Sequence, residues 1–239
     1  MISVCLASYN GEKYIREQVE SILPQLSDLD ELIISDDGSK DETINILESF
    51  RDDRIIILKN QGKHGFIGNF ENALKSAKGD YIFLSDQDDI WMPDKIRVVL
   101  DKLEHADLIV HDAELIDGEG GSLGKNYYNL LHHSSSFLMN LWKTRFLGCC
   151  MAFRKEVLEE CLPFPKRIAG HDYWIGMYAL KKNKVEFIPD ILLKYRRHGN
   201  NVSSSSEKSN NSLLYKILLK RFYILMAITL KKNGISFSQ

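Results

Sequence analysis

The sequence has no Cys-x-x-Cys pair, no excess of basic charge, no apolar run long enough to cross a bilayer, and none of the common phosphate-loop or hydrolase signatures. Its four cysteines are Cys5, Cys149, Cys150 and Cys161. The adjacent Cys149 and Cys150 would close only a strained ring. Buried, reduced thiols and a reducing compartment are therefore expected. Thirty-one basic against 33 acidic residues leave a net charge of −2, which argues against a dedicated nucleic-acid binder. The apolar stretch Phe222–Leu230 has nine residues, far fewer than the roughly 20 that span a bilayer. Met1-Ile2-Ser3-Val4 shows no basic region before a long apolar run, so no secretory leader is expected. GxxxxGK[ST], HExxH and GxSxG are missing, and Gly118–Gly124 spaces its glycines as GxGGxxG, away from the first strand.

What is present is a chain of 239 residues, 44% hydrophobic and 27% charged. That is enough to bury a core in one domain, with or without a short appendage. The charge is uneven. Residues 213–239 hold five basic residues and no acidic one, so the tail is +5 and the remainder −7. A polar linker is expected over residues 203–212, followed by a basic amphipathic helix from residue 213.

Residues 1–111 alternate short apolar runs with helical patterns. Strands are expected at Ile2–Ala7, Leu32–Ser35, Ile55–Leu58, Tyr81–Ser85 and Leu108–His111. Helices are expected at Glu12–Leu26, Asp41–Phe50, Asn69–Ala77 and Pro93–Leu103. This rhythm predicts βαβ units, an α/β fold and a mostly parallel, Rossmann-like sheet flanked by helices. The second half is less regular. Gly118-Glu119-Gly120-Gly121 reads as a hairpin tip and Tyr127–Ser136 as a loop. Leu147–Phe153, Val185–Ile188 and Ile191–Tyr195 read as strands, with helices at Lys155–Cys161 and His171–Lys181.

Five polar groups could carry chemistry. Asp86-Gln87-Asp88-Asp89 follows the apolar run Tyr81–Ser85. Three carboxylates in four residues repel, and a hard divalent cation, Mg²⁺ or Mn²⁺, is the simplest compensation. Asp36-Asp37-Gly38-Ser39 is either a turn that caps the next helix or an acceptor for a nucleobase N–H. In Ala7-Ser8-Tyr9-Asn10-Gly11, Tyr9 could stack on a base, or the segment could be an ordinary turn. Asp172, beside His171, is a helix cap or a carboxylate base. Tyr195–Asn201 gathers Arg196, Arg197 and His198, cations suited to a leaving diphosphate, with His198 also a possible metal ligand.

In this order, Val4–Gly11, Ser35–Ser39 and Gly79–Trp91 resemble the family-2 glycosyltransferases of GT-A fold. Ser85–Trp91 together with Tyr195–Val202 is similar to their bacterial rhamnosyltransferase-like branch. The resemblance spans about residues 1–202. It implies an inverting transfer from a nucleoside-diphosphate sugar, such as dTDP-rhamnose or a UDP-hexose, to an acceptor hydroxyl in surface polysaccharide or glycolipid synthesis. It implies that Ala7, Tyr9 and Asp36 or Asp37 contact the nucleoside, with Asn10, Asn69 and Gln87 beside them. It implies that Asp86 meets the ribose or metal, that Asp88 ligates the metal, and that His198 adds a metal or diphosphate contact. Asp172 matches the catalytic base, with His171 in place of the usual glutamate. Gly68 stands where many relatives carry a basic residue, so Lys63 or Arg197 is left to meet the diphosphate. Residues 118–145 would line the acceptor side. The resemblance also implies a cytoplasmic enzyme acting on a glycan or lipid-linked acceptor, with no nucleic-acid partner. A basic helix at 213–232 could contact the inner membrane surface or pack on its own domain.

Two other classes fit less well. A pseudoenzyme that binds nucleotide or glycan would not need Asp86, Asp88 and Asp172 together. A dehalogenase-type phosphatase would place two aspartates at the end of the first strand, where this chain has Ala7-Ser8-Tyr9-Asn10. A nucleotidyltransferase of similar architecture would carry a glycine-rich basic loop there.

Overall fold

The computed structural model describes residues 1–182, 184–198 and 213–232. The expected linker at 203–212 and the motif residues 199–202 lie outside the described residues. β1 (Ile2–Ser8), β2 (Glu31–Asp36), β3 (Ile55–Lys59) and β4 (Tyr81–Asp86) alternate with α1 (Ile15–Ile22), α2 (Thr43–Glu48) and α3 (Phe66–Ser76). Then come β5 (Ile90–Trp91), α4 (Lys95–Leu103), β6 (Leu108–Ile116), β7 (Ser122–Asn126), α5 (Tyr127–Leu130) and α6 (Phe137–Trp142). β8 (Met151–Arg154), α7 (Lys155–Cys161), α8 (His171–Lys182), β9 (Val185–Arg196) and α9 (Leu213–Lys232) complete the described chain.

The sheet runs β3-β2-β1-β4-β8-β6-β9-β5, with β7 paired to β6. Its first four strands are parallel. β8 reverses direction between β4 and β6, and β6 and β9 are parallel again. β2 is buried along its whole length and β1 and β4 nearly so, because helices cover both faces of a parallel sheet. Register then fixes the site. Ser8 pairs with Asp36 and Ala7 with Asp86, so the carboxyl tips of β2, β1 and β4 lie side by side. Ligands bind outside such tips in open α/β sheets.

Several expectations shift in position. β6 continues past His111 to Ile116, because Asp112 is buried and accepts from the backbone N–H groups of Ala113 and Tyr128. The two strands expected at Val185–Ile188 and Ile191–Tyr195 are one strand, β9. It steps over Pro189 and Asp190 by a shift in register against β6. The expected strand Leu147–Phe153 begins only at Met151. Gly148–Cys150 form a 3-10 turn instead. The loop expected at Tyr127–Ser136 starts with α5, and Gly118–Gly121 is the tip of the β6–β7 hairpin.

The four cysteines are free and buried. α9 has the expected start and lies against α6 and α8. Ile224, Ala227 and Ile228 join the core on its inner face, while Phe222, Leu225 and Met226 stay exposed on the outer one. No helix among the described residues is long and apolar enough to cross a membrane.

Candidate active site

β4 ends by delivering Asp86 to the sheet edge, and the turn to β5 carries Gln87, Asp88 and Asp89. Burial raises the Asp86 carboxyl to about 7, and the charges of Asp88 and Asp172 push in the same direction. Asp89 is buried, and its carboxyl is held well above the usual range by burial and by Asp88 and Asp86. Its Oδ1 accepts from the Arg196 backbone N–H at 2.9 Å. Its Oδ2 has no hydrogen-bond partner among the described residues. The Cys149 thiol lies within 4.8 Å of carboxylate oxygens of both Asp86 and Asp89. Burial pushes that thiol well above its ordinary value, so it remains S–H. The floor under the carboxylates is cationic. Lys95 is fully buried, donates to the Cys149 carbonyl at 2.8 Å and lies 4.0 Å from the Trp91 ring centre. Burial lowers its ammonium to about 8.

The end of β9 closes the site from the other side. His198 Nε2 lies 2.8 Å from Asp88 Oδ2, and its ring stacks on Tyr14 at 5.1 Å. Arg196, only 2% exposed, spans several elements. Its Nε donates to the Asp88 carbonyl at 2.8 Å, its Nη1 to the Gly118 carbonyl at 3.2 Å and its Nη2 to Glu17 at 2.6 Å. Its guanidinium also lies over the Tyr14 ring at 4.7 Å.

Asp172 stands in the first turn of α8. Its Oδ1 accepts from the Tyr173 N–H at 2.7 Å. Burial raises its carboxyl to about 6, inside the range that suits a general base near neutral pH. His171 beside it is buried against Phe70, ring centres 3.9 Å apart. Burial lowers its imidazole to about 3, so it is neutral, and neither ring nitrogen has a partner among the described residues. The electrostatic coupling of Asp172 with Asp86 brings the expected base and the acidic motif to one site.

The opposite flank is a set of tied loops. Tyr9 is exposed, and its backbone N–H and C=O bond the Gln87 side chain at 2.9 and 3.1 Å. A Cβ on Gly11 would sit 2.3 Å from Gln87 Oε1, so this close approach requires glycine. Asn10 adopts φ 47°, accepts from the Lys40 N–H and donates its own N–H to Ser39 Oγ. Asp36 is buried and receives Ser8 Oγ and the Gly38 and Ser39 N–H groups. Asp37 accepts from Asn60 Nδ2 at 2.7 Å and the Gly65 N–H at 2.7 Å, with His64 Nδ1 at 2.9 Å. These bonds hold its carboxyl below the usual range against an opposing burial effect. Both aspartates thus shape the turn, and a nucleobase N–H would have to share an oxygen already in use. Asn69 Nδ2 donates to the Ser8 carbonyl at 2.9 Å, fixing α3 to the tip of β1. Lys63 and Arg197 are exposed, and the Lys63 Nζ donates to the Lys166 carbonyl at 3.3 Å.

Of the expected metal ligands, Asp88 and His198 meet directly, while Asp86 clusters with Asp89 and Cys149. Sequence reasoning counted Asp89 among the carboxylates of the acidic motif and Arg196 among the cations for the diphosphate, but missed Cys149, Lys95 and Glu17 as parts of the site and Arg196 as the support of the acidic turn. Only Lys95 left a signal. It falls on the apolar stripe of α4 with Val99 and Leu103, at helical spacing. The donor set fits a hard divalent cation. Three carboxylates crowd one edge, two of them raised, and one buried oxygen lacks a donor.

Residues 3–162 match the family model described as "Glycosyl transferase family 2". The chain belongs to this family. An uncharacterized glycosyltransferase of Haemophilus influenzae is 32% identical over 231 residues, covering 91% of this chain and 72% of the relative. The dTDP-rhamnosyl transferase RfbG of Shigella flexneri is 34% identical over 82% of this chain and 72% of its own. A glucosyltransferase of Escherichia coli, WfgD, is 29% identical over 88% of this chain and 81% of its own. Other relatives are longer, and this glycosyltransferase spans 36% of one from Rickettsia felis. In fold it is similar to residues 1–349 of TarS from S. aureus, solved with UDP-GlcNAc, at TM-score 0.72 and 19% identity, over 96% of this chain and 66% of that one. It is also similar to the Pyrobaculum calidifontis mannosyltransferase PcManGT, solved with GDP-Man and Mn²⁺, at TM-score 0.65 and 17% identity, over 98% and 72%.

Proposed function

We propose that this enzyme is an inverting, cation-dependent glycosyltransferase that moves a sugar from dTDP-rhamnose or a UDP-hexose to a hydroxyl of a glycan or lipid-linked acceptor in bacterial polysaccharide synthesis. The carrying observation is the convergence of Asp86, Asp88 and Asp89 with Asp172, a carboxyl raised to about 6 by burial. The donor classes follow the printed activities of two relatives, dTDP-rhamnosyl and UDP-Glc transfer. The second of these names a diphosphoundecaprenol-linked acceptor, which supports a lipid-linked substrate here.

In this reading the nucleoside lies over Ala7, Tyr9 and Asn10, with Asp36 or Asp37 taking the base N–H. Gln87 keeps the Tyr9 loop beside the acidic turn, and Asn69 keeps α3 on the tip of β1. Asp86, Asp88 and His198 would hold Mg²⁺ or Mn²⁺. The bound cation supplies Lewis-acid stabilisation of negative charge on the leaving diphosphate. Lys63 and Arg197 are exposed cations available to the same diphosphate. Asp172 accepts the proton of the acceptor hydroxyl as that oxygen bonds to the anomeric carbon. The carbon–oxygen bond to the diphosphate breaks on the opposite face, and its electron pair leaves with the diphosphate. One displacement needs one base, and it inverts the anomeric centre. Neutral His171 adds no competing charge beside that base.

The test is a panel of nucleotide sugars with Mn²⁺ or Mg²⁺, read by released nucleoside diphosphate. Release from a dTDP- or UDP-sugar is expected. Binding of every donor with no release, with or without acceptor, would overturn the reading in favour of a binding protein.

A further inference from the structure

Six large apolar side chains stand exposed on two neighbouring helices. α6 presents Leu138, Met139 and Trp142. The outer face of α9 presents Phe222, Leu225 and Met226. Trp142 and Phe222 are 69% and 66% exposed. Arg221 joins the two helices. Its Nε donates to the Leu141 carbonyl at 2.7 Å, and its guanidinium lies 4.5 Å from the Trp142 ring centre. The inner face of α9 is already satisfied by Ile224, Ala227 and Ile228, so fold packing leaves the outer face unexplained.

Charge indicates what covers it. Residues 120–155 and 208–239, the segments that carry these helices, contain no aspartate or glutamate, although the chain holds 33. They contain eleven lysines and arginines. Exposed Lys143 follows α6, and Lys181 lies near Phe137, 5.8 Å from its ring centre. Glu71 and Glu160 act on Lys231, at the far end of α9 from Trp142 and Phe222. An apolar strip bordered by cations and free of acidic residues is complementary to an anionic phospholipid surface. A self-complementary dimer face would gather like charges instead.

We infer that α6 and the outer face of α9 together form a docking face for an anionic phospholipid bilayer. The face is wider than the basic helix alone, and α6 is its second half. It is mounted on the catalytic unit. Tyr173, next to Asp172, donates its hydroxyl to the Leu141 carbonyl at 3.4 Å, so α6 is tied to the start of α8. Docking through this face would bring a membrane-borne acceptor to the Asp172 side of the cleft. The inference does not depend on the donor, and its test uses none.

The full chain is sedimented with sucrose-loaded vesicles of phosphatidylcholine alone, or of phosphatidylcholine with 30% phosphatidylglycerol. Binding to the anionic vesicles only, weakened by high salt, is expected. Trp142→Ser with Phe222→Ser should reduce that binding about tenfold while leaving the melting temperature unchanged. Leu138→Ser with Met226→Ser should reduce it similarly, which guards against a local fault at either site. Undiminished binding by both double variants would overturn the inference. So would a stable dimer by light scattering that both double variants dissociate, since the face would then belong to a second copy of this chain.

Discussion

Arg196 holds Asp88 by the main chain, with Nε 2.8 Å from the Asp88 carbonyl. The next residue is held as well, because the Arg196 N–H donates to Asp89 Oδ1. The last residue of β9 therefore fixes the turn that carries the acidic motif, 108 residues earlier in sequence. A carboxylate proposed to meet a cation and a diphosphate needs such support, because the turn after β4 has no ladder of its own at Gln87–Asp89.

Arg196→Ala should lower cation affinity and turnover together, while His198 and Asp88 both remain. The Asp88 and Gly118 carbonyls would each lose a hydrogen bond from a charged donor, worth about 1.5–3 kcal/mol. The ion pair with Glu17 adds less, because Glu17 is half exposed. Mn²⁺ binding followed by electron paramagnetic resonance checks this without activity. A wild-type Mn²⁺ affinity would show that Arg196 does not position the motif. Arg196→Lys should recover little, since one ammonium cannot copy the guanidinium fork.

Asp172→Asn should keep donor binding and lose 10²–10⁴-fold in turnover, about the contribution of a positioned general base. The wild-type rate should rise with pH through about 6, the value to which burial raises this carboxyl. Isothermal titration with a UDP- or dTDP-sugar separates the two effects from kinetics. Near-full turnover in the variant would remove Asp172 from its role.

The strands that build this site were legible because β1, β2 and β4 are apolar and buried on both faces, so their polar tips stood out. Asp86, Asp88, Asp172 and His198 are named as candidates for that reason and by family resemblance. The support beneath them was not legible. Arg196 and Glu17 meet across 179 residues, a distance over which neither periodicity nor turn chemistry carries information. Cys149 read as inert core, and only the 3-10 turn before β8 places its thiol at the carboxylates. The expected strand ends at His111, whereas β6 runs on to Ile116 because the Asp112 carboxylate accepts from two backbone N–H groups.

Gly68 marks a different departure. A Cβ there would lie 1.8 Å from the Lys63 carbonyl oxygen. The backbone of the Lys63 loop occupies the space that a longer residue would need. Gly68→Ala should therefore destabilise the fold by about 1–3 kcal/mol, as overpacking does. Gly68→Lys should do so at least as strongly, and should not improve diphosphate binding. Urea unfolding of both variants checks the first claim, and a stable Gly68→Lys enzyme with tighter donor binding would refute the second.

The carboxyl cluster predicts how pH and cation trade against each other. Burial raises Asp86 to about 7 and Asp172 to about 6, above their value of about 3.8 in the unfolded chain. Groups raised on folding contribute stability that is full below about 4 and is lost as pH climbs from there through 6 to 7. The pH dependence of the wild type alone is not diagnostic, because buried His111 and His171 are lowered and act in the opposite sense. Differences isolate the effect. Asp172→Asn should stabilise the fold relative to wild type more at pH 8 than at pH 5, by about 1–1.5 kcal/mol, because roughly half of the ~3 kcal/mol for a shift of two units is already lost by pH 5. Mn²⁺ should likewise stabilise the wild type more at pH 8, where the carboxyls it needs are already ionised, than at pH 5, where it must displace their protons. Scanning calorimetry at both pH values, with and without Mn²⁺, reads both differences. Equal Mn²⁺ stabilisation at pH 5 and pH 8 would mean that the cation does not bind through these raised carboxyls.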